Sequence, residues 1–322
     1  MSGAGVLAGL LLASAASAPG VLFTFADQEI SESSGLVDRG GVVFTVNDSG
    51  AGPVLYGVDA ATGETTSRTT YSDDEVRDVE ALAPGRGGAL WVGDIGDNLV
   101  ARDSIALYRA SAGADTSQRL DLTYPDGPRD AEALLAHPRT GRLFVVSKTF
   151  LGGTVYAVPP GARPGRPTTM RRFAQVPGLV TDGAFLPDGR HVVLRSYGTA
   201  TVYTFPGFVA TGRIDLPAQE QGEAIAIGAD GRVLISSEGV GSDVLEVALP
   251  ARLTAPEPDP TPDGSSSQPP GPEVVEKAPP ADPDQDRDRA QGMWSHPASF
   301  ALRVGLACAM VLGLVLWWRR GR

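Results

Sequence analysis

Five oxygen-bearing residues stand at the same place in five short units of this chain: Ser34, Glu80, Glu132, Asp182 and Glu223. Each precedes a small residue and then an apolar run, as in Ser34-Gly35-Leu36, Asp182-Gly183-Ala184-Phe185 and Glu223-Ala224-Ile225. The two best copies, Arg77-Asp78-Val79-Glu80-Ala81-Leu82 and Arg129-Asp130-Ala131-Glu132-Ala133-Leu134, are nearly identical. Four carboxylates and a hydroxyl brought to one place cannot all stay charged and unpaired. At ~5 Å and an effective dielectric of about 20, each like-charged pair costs on the order of 3 kcal/mol. Either the pKa values rise or a cation sits among them. An all-oxygen set without His or Cys selects a hard ion, and a roomy ring of five with space for water suits Ca²⁺ better than Mg²⁺. The alternative is that these acids pair with Arg77, Arg129 and nearby backbone amides.

A ring requires an architecture that delivers one residue per unit to a common axis. Each unit continues through a Gly-bearing turn, such as Pro187-Asp188-Gly189 or Ala229-Asp230-Gly231, into a second apolar strand: Val42–Val46, Ala89–Val92, Arg142–Val146, His191–Leu194 and Arg232–Ile235. A third strand follows at Val54–Val58, Ile105–Arg109, Thr154–Val158, Thr201–Phe205 and Asp243–Val247. Short strands with a period of roughly 40–50 residues describe the blades of a β-propeller. The expected fold is therefore all-β, a single five-bladed β-propeller over residues 19–253. Val21-Leu22-Phe23-Thr24-Phe25 is expected to supply the strand missing from the fifth unit and so to close the ring, removing the exposed edges.

In such blades the start of the innermost strand and the loop leaving the second strand share one face. That face also carries Asn47 and Asp48, Asp94, Asp97 and Asn98, Ser147 and Lys148, Arg195 and Ser196, and Ser237 and Glu238. Lys148 and Arg195, with Asn47, are candidates to hold an anionic substrate, most naturally a phosphate; the alternative for each cation is charge balance with the ring carboxylates. Asp94 and Asp97 are the candidate catalytic pair that would orient water, or else a turn braced by Asx hydrogen bonds. His137 and His191 fall in or beside turns of the opposite face, so no Ser-His-Asp or Cys-His arrangement can be assembled on the acidic one. No HExxH, no phosphate-binding GxxxxGK[ST] and no dinucleotide fingerprint is present.

The 322 residues carry 38 acidic against 27 basic side chains, a net charge of −11 that argues against a nucleic-acid surface. The one cysteine, Cys308, lies in the final apolar run, so disulfides do not hold the fold. Only Lys148 and Lys277 are lysines, and the Arg, Ala and Gly bias points to a high-GC Gram-positive bacterium. Residues 1–18 read as a secretory signal peptide, an apolar run ending Ala16-Ser17-Ala18. From 254 to 297 Pro and Asp dominate, which predicts a disordered, extended linker. At about 3 Å per residue it would reach on the order of 100 Å. Ala298–Trp318 reads as one transmembrane helix, with paired Trp at the interface and a basic cytoplasmic tail over 319–322. These features predict a monomeric, single-pass cell-membrane protein whose propeller is extracellular.

The arrangement Ser34, Glu80, Glu132, Asp182, Glu223 resembles that of the five-bladed calcium-activated apyrases, whose central ion is held by Ser and Glu, one per blade; Asp182 is the departure. Ser33-Ser34-Gly35-Leu36 with Val46-Asn47-Asp48-Ser49 also resembles the esterase-like phytase group, and Glu-Ala/Gly strand starts recur in six-bladed lactonases. The resemblance covers roughly residues 20–253 and bears on fold and metal far more than on substrate. It implies a Ca²⁺ ion held by the five ring residues. Two functions follow as expectations. One is a calcium-dependent hydrolase of phosphate esters or anhydrides, in which Lys148 and Arg195 clamp the phosphoryl group and Asp94 or Asp97 orients water. The other is a non-catalytic surface propeller with a structural ion, whose loops grip a protein or glycan.

Overall fold

The computed structural model describes residues 20–48, 50–113 and 117–255. The expected signal peptide, the linker beyond Ala255, the transmembrane helix and the basic tail lie outside the described residues. Among those described, no helix is long and apolar enough to cross a membrane.

The described chain forms five sheets, each built on four antiparallel strands. Blade 1 is β2 (Ser33–Asp38), β3 (Val42–Asn47), β4 (Val54–Asp59) and β5 (Thr65–Thr70), after the N-terminal strand β1 (Gly20–Thr24). Blade 2 is β6 (Val79–Pro84), β7 (Leu90–Asp94), β8 (Ile105–Ala110) and β9 (Gln118–Thr123). Blade 3 is β10 (Ala131–Ala136), β11 (Leu143–Ser147), β12 (Gly153–Ala157) and β14 (Arg171–Val176); the two-residue β13 (Thr168–Thr169) leaves it to pair in parallel with β9. Blade 4 is β15 (Asp182–Phe185), β16 (His191–Ser196), β17 (Thr199–Thr204) and β18 (Ala210–Asp215). Blade 5 is β19 (Gly222–Ile227), β20 (Val233–Ser237) and β21 (Asp243–Val247), completed by β1.

The five-bladed expectation and the closing strand both hold. Strand β1 pairs with β21 from Gly20↔Glu246 to Thr24↔Asp243, and the Thr24 hydroxyl donates to Asp243 Oδ1 at 2.5 Å. Just beyond, the Phe25 amide donates to the Ser242 carbonyl. Phe23, Phe25 and Ile30 are buried in a cluster with Leu36, Val43 and Tyr56 of blade 1 and Ala224, Leu234 and Val244 of blade 5. Gly63 makes this junction possible, since it has φ +76° and a Cβ built there would lie 2.0 Å from the Thr24 carbonyl oxygen. The innermost strands neighbour one another around the ring: β2 beside β6, β6 beside β10, β10 beside β15, β15 beside β19, and β19 back beside β2.

The apolar core lies between blades. Ala81, Leu107, Leu134 and Tyr156 join blades 2 and 3; Val146, Val155, Leu194 and Tyr203 join 3 and 4; Val193, Val202, Ile225 and Ile235 join 4 and 5. A blade therefore has no core of its own and is stable only when its neighbours cover both faces. Every unit except blade 5 carries an outer strand that the sequence pattern did not single out. These strands are polar and half-exposed, as in Thr65-Thr66-Ser67-Arg68-Thr69-Thr70 of β5.

Because β1 closes the ring, removing it exposes the edge of β21 and uncovers both flanking blades. Phe25→Ala is expected to cost about 3–5 kcal/mol as a buried aromatic truncation. Deleting residues 19–26 should lower the whole unfolding transition. Far-UV dichroism and tryptophan fluorescence should then report one coincident, shifted transition; an unshifted main transition would contradict closure by β1.

Candidate functional site

Residues at the start of each inner strand reach the axis through a local irregularity of the sheet. Pairing between β2 and β3 shifts register between Ser33 and Gly35, that between β6 and β7 between Val79 and Ala81, that between β10 and β11 between Ala131 and Ala133, and that between β19 and β20 between Gly222 and Ile225. Ser34, Glu80, Glu132 and Glu223 therefore sit at β-bulges, which unpair a residue and re-aim its side chain. The small residue after each is explained by crowding. A Cβ on Gly35 would lie 2.4 Å from the Leu82 amide nitrogen, and Ala81, Ala133 and Ala224 are wholly buried.

Asp182 is different. Its strand pairs regularly, Asp182↔Arg195 and Gly183↔Leu194, with no bulge. It is completely buried, its Oδ2 accepts the Ile225 amide of blade 5 at 2.8 Å, and its Oδ1 has no partner among the described residues. Burial pushes this carboxyl well above the usual range, against the Ile225 and Gly183 amides and Arg195. The ring expected from sequence is thus four bulge residues and one strap between blades 4 and 5.

The acidic cluster is wider than that ring. Asp48, Asp78 and Glu80 each place a carboxylate oxygen within 4.8 Å of the others, a spacing compatible with oxygens at 2.3–2.6 Å around one Ca²⁺. The Gly96 backbone closes over two of them: a Cβ there would lie 2.5 Å from Asp78 Oδ2 and 2.6 Å from Glu80 Oε1. Glu132, Glu223 and Glu238 extend the well electrostatically. Burial, reinforced by Asp48 and Asp130, pushes Asp78 up to about 6. Burial, then Glu132, Asp48 and Asp78, drive Glu80 well above its usual range, with Lys148 opposing. Burial, with Glu223 and Asp48, raises Glu238 to about 7. Burial likewise raises Glu132 to about 8, although Lys148 pulls it back.

Lys148 Nζ lies 2.6 Å from Glu132 Oε1 and 5.6 Å from the centre of the Tyr197 ring. Burial alone would lower its pKa, but Glu132 more than offsets that and the ammonium is held charged. Among the described residues, Glu132 is the only one of the four ring acids in a salt bridge. Neither Arg77 nor Arg129 plays the neutralising part: Arg129 bonds Asp126, Tyr156 and the Pro128 carbonyl.

Arg195 is fully buried and sealed. Nη1 donates to the carbonyls of Ala224 and Ser236, and Nη2 to Gln219 Oε1. Burial lowers its pKa to about 10 despite Glu223 and Asp182. Gly222 is the residue that admits it, since a Cβ there would lie 2.0 Å from Arg195 Nη2. Asn47 ties backbone, accepting from the Glu32 amide and donating to the Glu29 carbonyl. Asp94 pairs with Arg102 at 2.8 Å and accepts the Arg77 and Asp78 amides. Asp97 accepts the amides of Ala101 and Arg102. The braced-turn alternative is thus the arrangement seen at Asp94 and Asp97, while Asp48 and Asp78 stand with Glu80 in the carboxylate cluster. Sequence reasoning missed Asp78 as a member of this cluster, although the two best copies both carry an Asp two residues before the bulged Glu.

No family model matches the chain, and no curated protein matches it. Solved structures of similar shape include a gluconolactonase from Xanthomonas campestris, 20% identical over 66% of this chain and 70% of that one, with a TM-score of 0.42. Another is the soluble aldose sugar dehydrogenase of Escherichia coli in its apo form, 12% identical over 72% of this chain and 99% of that one, TM-score 0.45. A chain of a nidogen–laminin complex is 15% identical over 66% of this chain and 74% of its own, TM-score 0.43. These likenesses concern the fold alone.

The raised carboxyls fix a pH signature. Each binds its proton more tightly in the folded than in the unfolded chain, so in chelator stability falls as pH rises from about 4. The loss continues through about 6 for Asp78 and about 8 for Glu132. Glu80→Gln should raise the chelated melting temperature at pH 8 by relieving repulsion. Glu132→Gln removes the partner that Lys148 gains once Glu132 ionises, so it should destabilise increasingly as pH rises toward about 8, with or without calcium. Thermal melts of both variants from pH 5 to 8 check the two signs; a Glu80→Gln protein destabilised in chelator would contradict the clustered-acid picture.

Proposed function

We propose that this chain is a calcium-holding propeller, carried on the outer side of a cell membrane by its C-terminal apolar segment, and that the acidic face is its working surface as an interaction module. The observation that carries the reading is the meeting of Asp48, Asp78 and Glu80 under the Gly96 backbone, in a well whose neighbouring Glu223 and Glu238 have no salt bridge among the described residues. Glu80, Asp78 and Asp48 would hold the ion, with Ser34, Glu132 and Glu223 around it and Asp182 bracing blade 4 against blade 5. Bound Ca²⁺ would supply the positive charge that lets these carboxylates ionise together.

Hydrolysis of phosphate esters or anhydrides is the second reading. It is favoured by Asp78 and Glu132, carboxyls raised to about 6 and about 8 beside the place a hard ion would occupy, where they could exchange protons near neutral pH. It ranks second because Arg195 is sealed among backbone carbonyls and Lys148 is committed to Glu132, so an anionic substrate would meet little positive charge apart from the ion. Membrane display rests on the apolar segment 298–318 and its basic tail.

Metal analysis and melting of the full chain test the proposal together. An ion that binds only the folded ring must stabilise it in step with the logarithm of free Ca²⁺, by about 2.7 kcal/mol at a hundred times its dissociation constant. The response should grow between pH 5 and pH 8, because binding displaces protons. Gly96→Ala, which intrudes on Asp78 and Glu80, should diminish it. A flat melting temperature across the calcium series would overturn the cation site. Turnover in a phosphatase and nucleotidase panel, abolished by chelator, would put the hydrolase in place of the interaction module. Protease added to intact cells should release the propeller by cutting within 254–291; cleavage only after lysis would reverse the orientation.

A further inference from the structure

Most of the large apolar side chains left exposed are gathered on one face. Of the eight in the described chain, Leu99, Val100, Phe150, Leu151, Tyr197 and Val240 lie in the loops that leave the second strands of blades 2, 3, 4 and 5. Those loops begin beside Asp94, Ser147, Ser196 and Ser237, the ends of β7, β11, β16 and β20 that face the starts of the inner strands. They therefore rim the acidic well, and Tyr197 joins rim to well through its contact with Lys148. Leu99 is 88% and Leu151 98% exposed, at loop tips that polar residues would occupy more cheaply. Blade 1 adds no large apolar residue among the described ones of its corresponding loop, which runs past Gly50, Ala51 and Gly52. The rim is a horseshoe open beside Asp48.

The loop of blade 2 is held rigidly to this purpose. Asp97 accepts the Ala101 and Arg102 amides, the Val100 amide donates to the Asp97 carbonyl, and Arg102 ties Gly96 and Asp94 together. Val100 is locked at φ +51°, a region a β-branched residue rarely adopts. These contacts fix the loop in the conformation that leaves Leu99 out in solvent.

We infer that this face docks a protein segment presenting an arginine or lysine side chain among apolar ones, the cation entering the acidic well and its neighbours covering the horseshoe. The inference rests on the acidic face being the working surface. Charge complementarity selects the occupant: Asp48, Asp78, Glu80, Asp130, Glu132, Glu223 and Glu238 face Lys148 and Arg195 here, so acids outnumber cations and the well favours a cation even beside one divalent ion. An anionic lipid surface would be repelled by the same charge, and apolar anchors around a desolvated ion pair are the make-up of a protein hot spot.

The test uses the full chain in lipid nanodiscs with Ca²⁺ and fluorescent nonapeptides of Leu and Phe around a central Arg, Gln or Glu. The Arg peptide should bind about tenfold more tightly than the Gln peptide, and the Glu peptide should not bind. Leu99→Ser and the pair Phe150→Ser, Leu151→Ser should each weaken the Arg peptide by about tenfold, while Val209→Ser, exposed away from this rim, leaves it unchanged. Equal binding of Arg and Glu peptides, no binding of any, or indifference to the rim variants would overturn the inference. So would preferential adsorption to phosphatidylglycerol vesicles, or self-association lost on Leu99→Ser, which would make the occupant a membrane or a second copy. The rim variants should keep the calcium-dependent rise in melting temperature. Peptide discrimination without any calcium response would overturn the cation site alone, and a calcium response without discrimination would overturn the docking alone.

Discussion

Five inner strands crowded around one axis are the constraint from which the rest of this protein follows. Each must pass its neighbours closely enough that Gly35, Ala81, Ala133, Gly183 and Ala224 stay small. A strand that gives up side-chain volume near the axis contributes little apolar burial there, so the hydrophobic stabilisation moves outward, into the seams between blades. Those seams are complete only in a closed ring. This is why a five-residue strand from the N-terminus, fixed by Phe23 and Phe25, bears on the stability of every blade.

The same crowding produces the acidic well. Bulges at Ser34, Glu80, Glu132 and Glu223 turn one side chain per blade out of the sheet, and the axis is the space left to receive them. Burying carboxylates so close together destabilises the fold unless something neutralises them. The chain does so unevenly. Glu132 has Lys148, Asp182 has backbone amides, and Asp78 and Glu80 are buried carboxyls whose pKa values are driven up. Local neutralisation thus exhausts the cations that a phosphate clamp would need.

Much of this was legible in the sequence because inner strands repeat. Arg-Asp-x-Glu-Ala-Leu at 77 and 129 records both the bulged acid and the small residue behind it, and the third strands of blades 2 and 3 read cleanly because they are buried along nearly their whole length. The outer strands were not legible: β5 and β18 face solvent, and nothing in Thr65–Thr70 or Ala210–Asp215 alternates strongly enough to announce a strand. Nor was the fate of Asp182, since its frame matches the others and only the absence of a bulge turns it aside. Arg195 reads from sequence as a cation on the acidic face, yet the bare Gly222 backbone lets its guanidinium lie inside the protein. Such differences arise from a neighbour's backbone, which local pattern does not encode.

The division of labour among the acids also explains why Asp94 and Asp97 are better placed as braces than as catalysts. A residue that orients water needs a carboxylate oxygen free toward the substrate, whereas these two direct theirs at the amides of 77, 78, 101 and 102 and at Arg102. Their work is to hold the segment from Gly96 to Arg102, whose one end covers Asp78 and Glu80 and whose other end lifts Leu99 into solvent. A single braced loop therefore contributes to both the floor and the rim of the acidic face. Gly96 and Leu99 are three residues apart in a segment braced at Asp97 and Arg102, so a shift of one end of this loop is transmitted to the other through short, constrained backbone.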